Sequence, residues 1–265
     1  MGLLPNRNGI TGYIFAAGLI CWLFATHLVA QTTATLPSMP QPQTALPAQQ
    51  TLQYSVDWRV FPAGTASFHL QTENGLVHVH ATANSVGAIA LLFPVADQYD
   101  SILDRATGCS QQYKKQIQEG FRRVSGTLTM DYAQHKQLLS EKNLNKGNVR
   151  QIAAPIPNCV TDVLSGIFYL ATQPLSVGGT VRFPLADAGR VVAVTANVEA
   201  REQITTPAGT FATVRVQPTA DAGVVKNRGD ILIWYTDDVR HIPVQVRANL
   251  FWGTLTLRLN HVADN

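Results

Sequence analysis

Charge and cysteine are both scarce in this chain. Lys, Arg, Asp and Glu make up 14% of its 265 residues. No block of Lys and Arg interleaved with aromatic rings occurs, and the Arg122-Arg123 pair is ordinary for a strand end. That argues against a nucleic-acid partner, which needs a basic footprint to neutralise phosphates. Also missing are a Gly-x-Ser-x-Gly elbow, a His-Glu-x-x-His pair, a phosphate loop and any two acids forced together by their spacing. Neither a catalytic residue nor a cofactor is therefore read from the sequence. There are 3 cysteines and no Cys-x-x-Cys, which weakens a redox role.

What is present begins with an apolar run from Tyr13 to Ala30, preceded by Arg7 and by no acid. This order reads as a secretory signal over residues 1–30, cut after Ala30, and places the remainder in the periplasm or outside the cell. The run is nearly long enough to span a bilayer, so an uncleaved inner-membrane anchor is the competing reading. Cys21 follows bulky Ile20, where lipid attachment wants a small residue, and is read as part of the signal helix. Residues 31–50 are rich in Thr, Pro, Gln and Ala and carry no charge, which predicts a disordered, solvated linker. Residues 51–265 then form a single β-rich domain, long enough to bury its own core. Without residues 1–30 the formal charge is +2, close to neutral.

Period-two alternation dominates this domain. Leu52, Tyr54, Val56 and Trp58 alternate with polar partners up to the turn at Pro62 to Gly64. Asn74-Gly75 is a two-residue hairpin signal between Ala66 to Leu70 and Leu76 to Ala81. The pattern recurs through Gln98 to Tyr132 and from Val191 to His261. One segment departs from it: between Cys159 and Thr172, Val160, Val163, Leu164, Ile167, Phe168 and Leu170 recur at spacings of three and four and predict a helix. The expected fold is mainly β, a large curved antiparallel sheet, open barrel or sandwich, packed against one α-helix.

Cys109 and Cys159 are the two cysteines beyond the signal. In an oxidising compartment they are most simply a disulfide, with two buried free thiols or a redox pair as alternatives. His78 and His80 share one face of a strand but make only half of a metal site, and no third ligand can be assigned. Asp237, Asp238, Arg240 and His241 lie between two strands and read as a turn.

From Tyr54 onward the chain resembles the bacterial family labelled domain of unknown function 3108. The resemblance rests on Leu52, Tyr54 and Trp58 with the turn through Gly64, on Asp162, Ser165 and the Tyr169-Leu170 helix end, and on Thr206 to Phe211. Ile233-Trp234 with Asp238, Arg240, Pro243 and Val244, then Phe251 and Gly253, complete it. It implies an envelope protein on a curved antiparallel sheet and supplies no catalytic residues.

Trp234, Tyr235, Phe251 and Trp252 gather large rings in the last hairpins. They fill the core or, with Phe168, line an apolar pocket. Two functions follow from the architecture. The first is non-enzymatic binding of an apolar or amphiphilic envelope ligand, a lipid or glycolipid, lodged against Trp234, Phe251, Trp252 and Phe168. The second is an interaction or assembly protein that contacts another envelope protein. A hydrolase of envelope polymer is a third, without a visible nucleophile, acid or base.

Overall fold

Among the described residues fifteen strands form one sheet, and its two edges are consecutive in the chain. The computed structural model describes residues 36–220, 222–227, 230–250 and 253–264. The expected signal at 1–30, including Cys21, and both Phe251 and Trp252 lie outside the described residues. The first eight strands are β1 (Gln49–Trp58), β2 (Phe61–Glu73), β3 (Leu76–Ser85), β4 (Ala96–Asp104), β5 (Ser110–Glu119), β6 (Arg122–Asp131), β7 (Lys136–Asn143) and β8 (Val149–Pro155). The other seven are β9 (Thr161–Asp162), β10 (Thr180–Asp187), β11 (Arg190–Thr206), β12 (Gly209–Ala220), β13 (Asp230–Thr236), β14 (Pro243–Leu250) and β15 (Gly253–Asp264). Their order in the sheet is β8-β7-β6-β5-β4-β3-β2-β1-β15-β14-β13-β12-β11-β10-β9. Every neighbouring pair is antiparallel except β9 with β10.

Two local meanders, β1 to β8 and β10 to β15, thus meet where β1 pairs β15, from Gln50 opposite Asp264 to Trp58 opposite Leu255. The expected Asn74-Gly75 hairpin is there, both residues at positive φ. Only residues 156–160 separate β8 from β9, a span of roughly 20 Å at most, so the sheet must curl until its edges approach. They meet through side chains instead of a hydrogen-bonded ladder. Leu128, Met130 and Leu139 pack with Ile156, Val160 and Ala186 in one apolar cluster. Gly189, at the β10–β11 turn, lies against Ile152 of β8 so closely that a Cβ there would fall 3.0 Å from the Ile152 side chain.

Two shorter helices, α1 (Gly87–Leu92) and α3 (Gly223–Asn227), flank the one expected from sequence, α2 (Ser165–Ala171). The expected helix from Cys159 to Thr172 is thus corrected to its second half. Val160 belongs to an extended segment whose carbonyl accepts from the Ser110 amide, and Asp162 begins a turn by accepting from the Leu164 and Ser165 amides. Six of the seven α2 residues are buried. Tyr169, Leu170 and Ala171 pack in a core cluster with β10 to β13, and Phe168 in another that contains Leu52, Tyr54, Leu70 and Val79. The helix is therefore apolar on several sides because the sheet wraps around it.

The expected linker also needs correction. Gln49 and Gln50 belong to β1, and the preceding residues dock instead of hanging free. Leu46 is buried, Pro40 accepts from the Tyr169 hydroxyl at 2.7 Å, and the Gln43 and Thr44 amides both donate to the Thr172 carbonyl. The two amides share the carbonyl of Thr172, the residue that caps the C-terminus of α2, so the helix end and an uncharged, Pro-rich stretch satisfy each other and the stretch becomes ordered.

Three buried tyrosines and a partly buried fourth, Tyr132, set an alkaline limit on this fold. Burial pushes the phenols of Tyr54, Tyr169 and Tyr235 well above their usual range. Burial also pushes Tyr132 to about 12, with the Asp162 charge adding to the effect. In the unfolded chain each ionises near about 10, so the folded state holds more protons above that pH. Their contribution is intact below about pH 10 and is lost as pH rises through the folded-state values. Urea midpoints are expected to fall steeply above about pH 10, tracked by tyrosinate absorbance; a midpoint unchanged to about pH 12 would contradict this burial.

Candidate functional site

The structure leaves space in two places: a shallow outer groove of about 320 Å³ over β1 to β3, lined by Gln53, Thr65, Ser67, His69 and Thr82, and a smaller hollow on the inner face of β4 to β7. A cavity of about 110 Å³ is walled by Tyr99, Tyr113, Ile117, Leu128 and Leu139 and closed by Ala186, Asp187 and Ala188 at the end of β10. Alternation places these side chains inward. The Tyr99 and Tyr113 rings stack at 6.4 Å, and the Tyr99 hydroxyl donates to Asp97. Burial pushes the Asp97 carboxyl up, against the Gln118 amide and the Tyr99 hydroxyl, which pull it down.

Lys115, Arg122 and Asp187 bring charge of both signs to this cavity. Lys115, Gly126 and Glu141 stand side by side on β5, β6 and β7, and Lys115 Nζ bonds Glu141 Oε2 at 2.7 Å across the glycine. A Cβ at position 126 would sit 3.0 Å from Lys115 Cε and 3.7 Å from Glu141 Cγ, so the absent side chain is what lets the two reach each other. Arg122, paired with Glu119, also lines the cavity. The site is thus an aromatic and aliphatic hollow with a polar rim, in which Lys115 and Arg122 are each paired to an acid and Asp187 stands opposite, suited to an apolar body with a polar end.

The rings expected to line a pocket do not do so where they are described. Trp234 is packed among core residues, its indole N–H donating to Glu202 and its ring covered by the Arg247 guanidinium at 5.3 Å. Phe168 is core on α2, in edge contact with Phe68. Both are corrected to core, packed in one cluster with Leu52, Tyr54, Leu70 and Val79. Nothing in the sequence separated Tyr99, Tyr113 and Lys115 from solvated strand residues; Gly126, a glycine within a strand pattern, was the one available signal.

Cys109 and Cys159 are bonded to each other, Cα atoms 5.1 Å apart. Beside them lies a polar cluster that sequence reading did not reach. Asp162, wholly buried, accepts from Ser101 and Ser110 hydroxyls on one oxygen and from the Leu164 and Ser165 amides on the other. The Ser101 proton goes to Asp162, so Ser165 donates to Ser101, at 2.6 Å. A carboxylate with serines suggests hydrolysis, yet this one is sealed and fully bonded, and holds β9 to β4 and β5.

His80 pairs with Asp100 at 2.7 Å and stacks on His69, on the outer sheet face. Asp238 accepts from the Arg240 amide and from Thr236, which closes the expected turn before His241. Its partial burial raises the carboxyl, but these bonds and the Arg240 guanidinium outweigh that and hold it below its ordinary value.

A family model described as "Protein of unknown function (DUF3108)" matches residues 53–260. No curated protein matches the chain. Among solved structures, a beta-barrel-like protein of domain of unknown function DUF1849 from Brucella abortus is similar. It has a TM-score of 0.57 and 10% identity, with 84% of this chain and 100% of that chain covered. A putative exported protein with a YmcC-like fold from Bacteroides fragilis is matched at TM-score 0.36 and 7% identity, over 83% of this chain and 98% of that one. At these identities the likeness to the first is one of fold alone.

Proposed function

The chain belongs to the DUF3108 family, whose function is unknown, and we propose that it is a non-enzymatic binding module of the cell envelope, holding the apolar part of a lipid or glycolipid. The observation that carries this reading is the hollow between Tyr99, Tyr113, Ile117, Leu128 and Leu139, with Lys115 and Arg122 beside it. The disulfide is compatible with a secreted or periplasmic setting, and no helix among the described residues is long and apolar enough to cross a membrane. At about 110 Å³ the hollow takes the end of a chain, whereas drug-sized ligands fill roughly 300 Å³ or more. Room for more comes from the seam. No ladder joins β8 to β9, so parting them separates apolar side chains without breaking sheet hydrogen bonds.

The test is native mass spectrometry of residues 31–265 purified from a bacterial periplasm, followed by denaturing extraction. A lipid or glycolipid at near-stoichiometric amount is expected. Gly126→Val places a branched side chain between Lys115 and Glu141 and fills the hollow. It is expected to leave stability within about 1 kcal/mol, because valine suits a strand and the Lys115 chain can move aside, and to remove the bound species. A clean apo mass for the unsubstituted protein would overturn the reading in favour of a partner-binding protein without a small-molecule ligand.

A further inference from the structure

Exposed large apolar side chains are gathered on four loops at one end of the sheet. The β1–β2 turn carries Val60 at 82% exposure, α1 carries Leu91 at 87% and Leu92 at 82%, and Phe121 of the β5–β6 turn stands at 97%. Phe93, after α1, is half exposed, and so is Leu144 in the β7–β8 turn. None of the α1 residues is buried, so the apolar content of this helix serves no core.

The four loops are neighbours. The Val86 amide donates to Ala63, the Gly120 amide to Pro94, and the Leu144 amide to Arg123. Gly120 leaves space for the Phe93 ring, which a Cβ there would meet at 2.8 Å. The loops are also basic. Residues 59–61, 86–95, 119–123 and 143–150 hold Arg59, Arg122, Arg123, Lys146 and Arg150 against a single acid, Glu119. The remainder of the chain is nearly balanced, so this end is where the positive charge collects.

We propose that this end docks the protein on an anionic lipid bilayer. The apolar groups are tips on successive loops, with most of each side chain in water, and not the walls of a groove. Tips of this kind enter the acyl boundary of a membrane, while neighbouring Arg and Lys meet lipid phosphates, the combination that holds peripheral proteins at anionic surfaces. A second copy of the chain would bring five cations against five, which disfavours self-association through the same face. The docking does not depend on the cavity having a ligand, although Arg122 belongs to both places.

The experiment is flotation of residues 31–265, which contain the fifteen strands, the three apolar clusters and the disulfide of the described residues, with vesicles of mixed phosphatidylglycerol and phosphatidylethanolamine, and separately of phosphatidylcholine alone. Binding to the anionic vesicles that weakens with salt is expected. The combined variant Leu91→Asp, Leu92→Asp and Phe121→Asp should reduce it at least about tenfold, and Lys146→Glu with Arg150→Glu likewise. Val239→Asp, an exposed apolar site on the turn at the opposite end, should leave it unchanged. Absence of vesicle binding, equal binding by the triple variant, or a dimer that the triple variant dissolves would each overturn the proposal. Retention of an extracted lipid by a variant that no longer floats would show that cavity and docking surface act separately.

Discussion

Asp162→Ala is expected to cost about 3 to 5 kcal/mol, measured as a fall in urea-unfolding free energy. The carboxylate accepts two hydroxyls and two amides in a place closed to water, and its own amide donates to Ser110 at 2.9 Å. Alanine leaves the two hydroxyls and two amides facing a void, and each buried unsatisfied donor costs about 1 to 3 kcal/mol before any relaxation. Asn is expected to be milder, since its carbonyl keeps the two amides and the serine hydroxyls can rotate to accept from its amide group. The segment held here is β9, the edge of the sheet, so the loss should also expose the seam to proteolysis before global unfolding. An Asp162→Ala protein within about 1 kcal/mol of the parent would show that the cluster does not hold that edge.

Removal of the disulfide, as Cys109→Ser with Cys159→Ser, is expected to cost about 4 kcal/mol. The bond closes a loop with a sequence separation of 50, and loop-closure entropy for such a ring amounts to roughly that figure. For a domain of this size, Tm should drop by about 10 °C. The bond ties the start of β5 to the segment that crosses between the two edges. Reduction is therefore expected to increase hydrogen exchange in residues 156–164 more than in β1 or β15. Uniform loosening across the sheet would contradict this assignment.

Particular residues show why the fold was more legible than the site. Asn74-Gly75 and the alternation around Leu52, Tyr54 and Val56 report local geometry, and β1 to β3 formed where expected. On β7, two of the inward residues, Gln137 and Glu141, are polar, so alternation no longer marks the inner face; β8 is mostly exposed. Neither strand was expected from sequence. Val160 and Val163 continue a helical spacing, yet a disulfide beside one and the Asp162 turn beside the other take them out of the helix. The pairing of Cys109 with Cys159 was readable because no other partner was available. The cavity was not, because Lys115 and Glu141 meet only through a register that spans three strands. A single chain shows neither that register nor the way four separate loops collect Leu91, Phe121 and Lys146.

The central pairing of β1 with β15 bears on the order in which the protein is made. The ribosome delivers β1 near the start of the domain and β15 at its very end, with Gln50 and Asp264, 214 residues apart, bonded side chain to side chain. Until the last strand emerges, one side of β1 presents an open ladder to any other chain it meets, while β2 to β8 are already able to zip along short hairpins. Completion is thus a single late, long-range step in an otherwise local assembly, and truncation by even the final dozen residues removes the one strand that joins the two meanders.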